Sequence, residues 1–122
     1  MNNINKLYEL DRISAIDPSA EFIKKIVGLF LEAIPTEAEE LEKACRHNDW
    51  ATAYKYAHKM RPNIELVNIA SIISDIKWLE QETRKTHPAP DCIIKAEKVK
   101  SIIHLCELQM QHDFFADEPI LA

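Results

Sequence analysis

The chain has 122 residues, 47% of them apolar and 29% charged, which is typical of one soluble globular domain with a core of its own. A net charge of −5 without any block of like charges argues against a general nucleic-acid binder, because such a protein needs a basic surface to neutralise phosphates. No run of apolar residues reaches the roughly 20 that a membrane span requires, and the sequence shows no signal-peptide core. Three cysteines without CxxC spacing favour a reducing compartment. We therefore expect a cytoplasmic protein.

The single glycine of the chain, Gly28, argues against a sheet with many tight turns and favours helices. The first predicted element is a short helix over residues 4–15 that lies across the end of a bundle. Asp17 as N-cap and Pro18 as first helical residue then predict a long helix. Its apolar stripe follows three- and four-residue steps through Phe22, Ile23, Ile26, Val27, Phe30, Leu31 and Ile34.

Pro35 predicts a kink or a break in this helix, after which residues 36–48 resume the helical pattern. The glutamates of that second half are predicted to form a solvated helix face: Glu37, Glu39, Glu40 and Glu42. Asp49 is the next predicted N-cap, before a helix from Trp50 to about Val67, and Asn68 suits its end because asparagine tolerates left-handed backbone.

A further helix is predicted over residues 70–86, followed by the proline-rich loop THPAPD. The last helix is predicted from Asp91 to Gln111, with a frayed tail over residues 116–122. Its apolar positions are Ile94, Val99, Ile102, Ile103, Cys106 and Met110. These elements predict an all-α fold, an antiparallel up-down four-helix bundle with a short N-terminal helix, in one monomeric domain over residues 1–122.

His58 is predicted to lie on the solvent face of the third helix. Counting about 100° per residue places Tyr56, Met60 and Val67 on the opposite, buried side. The residues that share the face of His58 are Ala51, Tyr54, Lys55, Arg61 and Pro62, with Lys59 to the side. From Trp50 through Ile64 the chain contains three basic residues and no acid, so positive charge is concentrated around one exposed histidine.

That arrangement suits phosphoryl transfer. A neutral imidazole, whose ordinary pKa is near 6.5, is a nucleophile at neutral pH and accepts a phosphoryl group from an acyl phosphate. Arg61, one turn along, reaches the phosphate oxygens, and Lys55, one turn back, adds positive potential. Ala51 allows close approach of a partner, and Tyr54 offers an apolar contact. The predicted partner-binding residues are Ala51, Tyr54, Lys55, Lys59 and Pro62.

The segment Ala57-His58-Lys59-Met60-Arg61-Pro62 resembles the signature of the histidine-containing phosphotransfer (HPt) domain. In that family Ala-His is followed by any residue, an apolar residue, a basic residue and usually glycine. The preceding text LFLEAIPTEAEELEKACRHNDW and the later WLEQE are also similar to the family, so the likeness covers about residues 20–85.

The resemblance implies a four-helix bundle whose exposed histidine carries a phosphoryl group between receiver domains of response regulators or hybrid histidine kinases. By position, His58 matches the phospho-acceptor and Arg61 the basic residue that is usually lysine. The resemblance implies no kinase activity and no cofactor of the domain's own, since the Mg²⁺ and the aspartate belong to the receiver. The chain departs from the pattern at Pro62 and Asn68, where the family usually has glycine.

Two other interpretations of the sequence remain open. In one, the chain is a non-catalytic helical adaptor of the same fold, which binds its partner through Tyr54 and Pro62 while His58 is never phosphorylated. In the other, it is the histidine-bearing domain of a kinase separated from its catalytic part. A metal site is disfavoured, because a di-metal carboxylate bundle needs Glu-x-x-His pairs and no histidine here has glutamate three residues earlier. The remaining histidines are predicted to be surface residues: His47, His87, His104 and His112.

Overall fold

The computed structural model describes residues 6–116, and within them it is all-helical, with five helices packed against each other and no strand. The all-α prediction is therefore confirmed. The helices are α1 (Asp11–Ile16), α2 (Ala20–Arg46), α3 (Trp50–Leu66), α4 (Ala70–Glu82) and α5 (Asp91–Phe115). None of these helices combines the length and apolarity that crossing a bilayer requires.

The four long helices pack in a closed ring, in which α2 contacts α3 and α5, and α4 contacts the same two. All four contribute buried apolar side chains to one core, including Ile34 and Leu41 from α2, Met60 from α3, Ile76 from α4 and Ile103 from α5, all at most 1% exposed. Ile94 was predicted to be in the core of α5 but is 66% exposed. Cys92 and Ala96, on either side of it in sequence, are buried instead, and these two positions face the core at helical spacing.

Side-chain caps fix two helix starts. Asp49 accepts a hydrogen bond from the Thr52 N–H at 3.3 Å, so its predicted capping role is confirmed. The predicted cap Asp17 is wrong for α2, because Ser19 accepts from the Phe22 N–H at 3.2 Å. Asp17 instead accepts from the Ser19 N–H at 2.9 Å, a short-range bond that competes with capping.

Pro35 lies buried inside α2, which continues through it, so the helix is not broken there, and the alternative of a kink stays a prediction. Proline removes one helical hydrogen bond and crowds the preceding turn, at a cost of roughly 3 kcal/mol. Here the helix continues for eleven residues beyond Pro35, to Arg46, with Ala38 and Leu41 fully buried on that side. Packing of both halves against α3 and α5 holds the helix together through the proline.

The predicted N-terminal helix begins later than expected, at Asp11, and its residues 4 and 5 lie outside the described part of the chain. Residues 6–10 are not helical because their polar groups bond to other elements. The Leu7 N–H donates to Gln109 Oε1 at 2.9 Å, and the buried Tyr8 donates its hydroxyl to Asp113. At the other end, only Ala116 of the predicted frayed tail is described.

Helix α4 is shorter than its predicted range of residues 70–86 and ends at Glu82. The Thr83 hydroxyl donates to the Leu79 carbonyl at 2.7 Å, and Glu82 accepts from the Ala89 N–H at 2.8 Å. The first bond adds a donor to a carbonyl of the last turn of α4, and the second ties the end of α4 to the loop that follows it. Asn68, by contrast, has a φ of 46° after the end of α3, in the left-handed region that asparagine tolerates.

The glutamate run of α2 is only partly solvated, so that prediction is wrong for two of its members. Glu37 and Glu42 are 7% and 4% exposed. Glu42 pairs with Arg46 and with Lys100 of α5, the latter at 3.6 Å. Arg46 lies one turn after Glu42 in α2 itself, but Lys100 belongs to a helix far away in sequence, so the pattern of α2 alone does not reveal that partner.

Asp75 of α4 gives the fold a measurable pH dependence. It is 4% exposed and pairs with Lys95 at 3.2 Å and Lys98 at 2.8 Å across the α4–α5 contact. Burial alone would raise the pKa of the Asp75 carboxyl, but the hydrogen bonds and charges of the two lysines outweigh it and lower that pKa below the ordinary value.

Because the folded pKa is lower than the unfolded one, Asp75 stabilises the fold above the unfolded pKa, near 4, and this contribution fades as pH falls through the folded value. We expect the free energy of unfolding of the Asp75→Asn variant, measured with urea, to depend less on pH below about 4 than that of wild type. Equal slopes in the two proteins would contradict this assignment.

Candidate functional site

His58 projects from the middle of α3 into solvent, and 59% of its side chain is exposed, as predicted. The opposite side of α3 is anchored in the core by Ala53, Ala57, Met60 and Ile64, each of which is fully buried. Because Ala57 and Met60 fix the helix on either side of His58, the imidazole is presented from a rigid element. Flexible loops place reactive groups less accurately than this.

Glu80 of α4 holds the imidazole of His58. Its Oε2 contacts His58 Nδ1, and only 15% of its side chain is exposed. A carboxylate accepts hydrogen bonds, so the contact favours the tautomer with the proton on Nδ1 and the lone pair on Nε2. The nitrogen left to react is therefore Nε2.

Arg61 binds the same carboxylate. Its Nε donates to Glu80 Oε1 at 2.5 Å, and one of its terminal nitrogens lies 3.2 Å from Glu65 Oε1. Burial alone would raise the pKa of Glu80, but the hydrogen bonds and charges of His58 and Arg61 lower it below its ordinary value. Glu80 therefore stays ionised beside the histidine.

The positive patch inferred from the acid-free stretch of α3 is largely neutralised in three dimensions. Lys59 points away from His58 to Glu37 of α2, with 3.0 Å between Nζ and Oε2. Arg61 is shared by Glu80 and Glu65. Helix α3 has no acidic residue before Glu65, but carboxylates from the neighbouring helices α2 and α4 lie against its basic residues. The charge of α3 alone therefore overestimated the positive potential around His58.

Glu80 belongs to the segment WLEQE, and its contact with His58 was not predicted from the sequence. A signal existed, because α3 and α4 are joined by a three-residue connection, 67–69, and run in opposite directions. Contacts across their seam pair residue 65 with 77, 58 with 80, and 54 with 84. Reflecting position 58 about this connection gives a partner near position 78, within one turn of Glu80.

Tyr54 lies one turn before His58, and their rings stack at a centroid distance of 5.6 Å and an angle of 16°. Arg84, which sequence reasoning missed, lies over the Tyr54 ring at 5.6 Å. Lys55 is exposed and lies over the Tyr56 ring at 5.1 Å. The structure thus brings together Tyr54, His58, Glu80 and Arg61, and adds Arg84 at the edge.

Ala51 and Pro62 are both exposed on α3, as predicted for residues that face a partner. Pro62 lies inside the helix and has no N–H to donate to the His58 carbonyl. Helix α3 nevertheless continues through Pro62 to Leu66. Pro62 thus leaves the helical segment that carries His58 intact.

Other reactive side chains offer less. All three cysteines are buried, and burial raises the pKa of the Cys92 thiol to about 11 and that of Cys106 to about 12, which disfavours the reactive thiolate. His104 lies between Glu39 and Glu107, at 3.3 and 3.4 Å. Residues 6–116 contain no group of three or more His, Cys, Asp or Glu side chains arranged to hold a metal ion.

Comparison of the chain with protein-family profiles, curated proteins and solved structures finds no match.

Proposed function

We propose that this chain is a cytoplasmic histidine phosphotransfer protein of two-component signalling, folded as an antiparallel up-down four-helix bundle. The observation that carries the proposal is the environment of His58, an exposed imidazole whose Nδ1 is held by Glu80 while Nε2 is left to react. The resemblance of residues 57–62 to the HPt signature supports the same assignment.

In the proposed step the lone pair of His58 Nε2 attacks the phosphorus of a phospho-aspartate on a receiver domain. The Nε2–P bond forms, the P–O bond to the aspartyl carboxyl breaks, and the electron pair of that bond remains on the receiver's carboxylate. No proton needs to move, because Nδ1 keeps its hydrogen. The phosphorylated ring then carries positive charge, which the Glu80 carboxylate stabilises through the Nδ1 hydrogen bond.

Arg61 supplies the positive charge for the phosphoryl oxygens. It lies one turn beyond His58, on the same side, and its guanidinium already reaches the carboxylate that holds the imidazole. Rotation from Glu80 toward the phosphoryl group would leave Glu80 bonded to His58 alone. The receiver domain contributes the Mg²⁺ and the aspartate, and the chain acts as a phosphoryl carrier without kinase activity.

The test is transfer from a receiver domain charged with acetyl phosphate to wild type and to His58→Gln. We expect an acid-labile, alkali-stable label on wild type and none on His58→Gln, because glutamine has no nucleophilic nitrogen. Absence of label from both proteins across several receivers overturns the proposal. If one of those receivers then binds wild type and His58→Ala with equal affinity, the chain is an adaptor.

Replacing Glu80 with glutamine is expected to slow transfer about 10- to 100-fold, the usual effect of removing a carboxylate that orients a histidine. The amide can either accept from or donate to Nδ1, so the reactive tautomer is no longer specified. Quenched time courses of phosphoryl transfer measure the transfer rate, and ¹⁵N chemical shifts of the His58 ring report the tautomer.

Glu65→Gln is the matched control for that variant, since Glu65 contacts Arg61 but not His58. It removes an acid of the same network and should leave the tautomer of His58 unchanged. A Glu80→Gln protein that transfers phosphate at the wild-type rate would show that the contact has no part in the chemistry.

A further inference from the structure

The cations around His58 fall into two groups according to what holds them. Arg61 and Lys59 are bound by carboxylates, and Lys77 lies 3.5 Å from Glu65. Lys55 and Arg84 have no carboxylate partner among residues 6–116 and lie over tyrosine rings instead. Their charges are therefore not neutralised within the described part of the chain.

Both of these cations come from positions about one helical turn from His58 or from Glu80, the residue that holds it. Lys55 precedes His58 by three residues on α3, and Arg84 follows Glu80 by four residues, about one turn beyond it. Arg84 also contacts Tyr54, whose ring stacks on the imidazole. Along the axis of α3 both charges therefore lie before His58, with Arg84 over Tyr54 and Lys55 over Tyr56, while Arg61 lies beyond it.

We propose that Lys55 and Arg84 are a docking pair for an acidic rim around the phospho-aspartate of the partner receiver domain, an inference that rests on the proposed function. A cation held over an aromatic ring keeps its charge available to a partner, and its side chain is already partly ordered. Arg61 stabilises the phosphoryl group, whereas Lys55 and Arg84 attract and orient the protein that delivers it.

The distinction is testable because a small donor bypasses docking. Phosphoramidate transfers its phosphoryl group to imidazole with release of ammonia, and it has no protein surface to recognise. For the Lys55→Glu/Arg84→Glu variant we expect the second-order rate of transfer from a charged receiver at low salt to fall at least about tenfold. Labelling by phosphoramidate should fall far less than transfer from the receiver does, and the salt dependence of receiver transfer should become weaker.

Lys24→Glu/Lys25→Glu is the matched control, because both lysines are exposed on α2, the change in net charge is the same, and Lys24, like Lys55 and Arg84, lies over an aromatic ring, that of Phe115. Lys25 lies twelve residues, about 18 Å along the helix, from Glu37, which marks the level of Lys59. Thermal unfolding of both double variants should match wild type.

Five results decide the matter. Receiver transfer that is slowed only in Lys55→Glu/Arg84→Glu supports the docking pair. Equal slowing in both double variants, wild-type transfer in Lys55→Glu/Arg84→Glu, or a parallel loss of phosphoramidate labelling overturns it while leaving transfer through His58 in place. A wild-type protein that no receiver labels overturns the proposed function, and the docking pair with it.

Discussion

Replacing Arg61 with alanine is expected to lower the rate of phosphoryl transfer about 10²- to 10³-fold, the effect of removing one fixed donor from a developing negative charge. Arg61 is bonded to the same Glu80 carboxylate as the imidazole. Without it, the transferring phosphoryl group loses the cation that this carboxylate holds beside His58. The rate of label transfer from a charged receiver, measured in a single turnover, gives the effect directly.

Arg61→Lys separates charge from shape. Because lysine keeps the positive charge, we expect it to retain more activity than alanine. Lysine lacks the planar fork with which arginine bonds Glu80 and Glu65 together. Phosphoramidate labelling should fall in Arg61→Ala as well, in contrast to the docking variants. An Arg61→Ala protein that reacts at the wild-type rate with both donors would show that Arg61 is only a structural ion-pair partner.

Replacing Leu79 with alanine is expected to destabilise the fold by about 2–5 kcal/mol, since the side chain is fully buried and its loss leaves a cavity. Leu79 precedes Glu80, so the same turn of α4 both anchors the core and presents the carboxylate. Urea unfolding measures the loss, which should appear as a lower midpoint with an unchanged slope.

Leu105→Ala is the control for that variant, because Leu105 is 52% exposed on α5 and should change stability little. At low temperature, where the Leu79→Ala protein stays folded, we expect it to accept label at His58. Destabilisation of Leu105→Ala equal to that of Leu79→Ala would contradict the core described above.

The helices were predictable because their signals are local. The three- and four-residue spacing of Phe30, Ile34 and Leu41 marks the buried side of α2, and the Asp49 side chain caps α3. Errors arose where two local signals compete, as at Asp17 and Ser19, and packing overrides a local preference for a break at Pro35. The length of α4 depends on bonds of Thr83 and Glu82 that the periodic pattern does not contain.

The candidate site was predictable only in part. The exposure of His58 follows from helix geometry and the buried positions of Ala57 and Met60. The charge around it does not, because Glu37 and Glu80 come from other helices and bind Lys59 and Arg61. The electrostatic environment of an exposed histidine can therefore be predicted only when the positions of charged residues on the neighbouring helices are known.

The most direct test of this account is ³¹P and ¹⁵N NMR of the protein after transfer from a charged receiver domain. We predict one phosphorus–nitrogen bond, at Nε2 of His58, with the hydrogen of the ring retained on Nδ1 beside Glu80. Phosphorus on Nδ1 or on another residue, or no bound phosphorus, would contradict it.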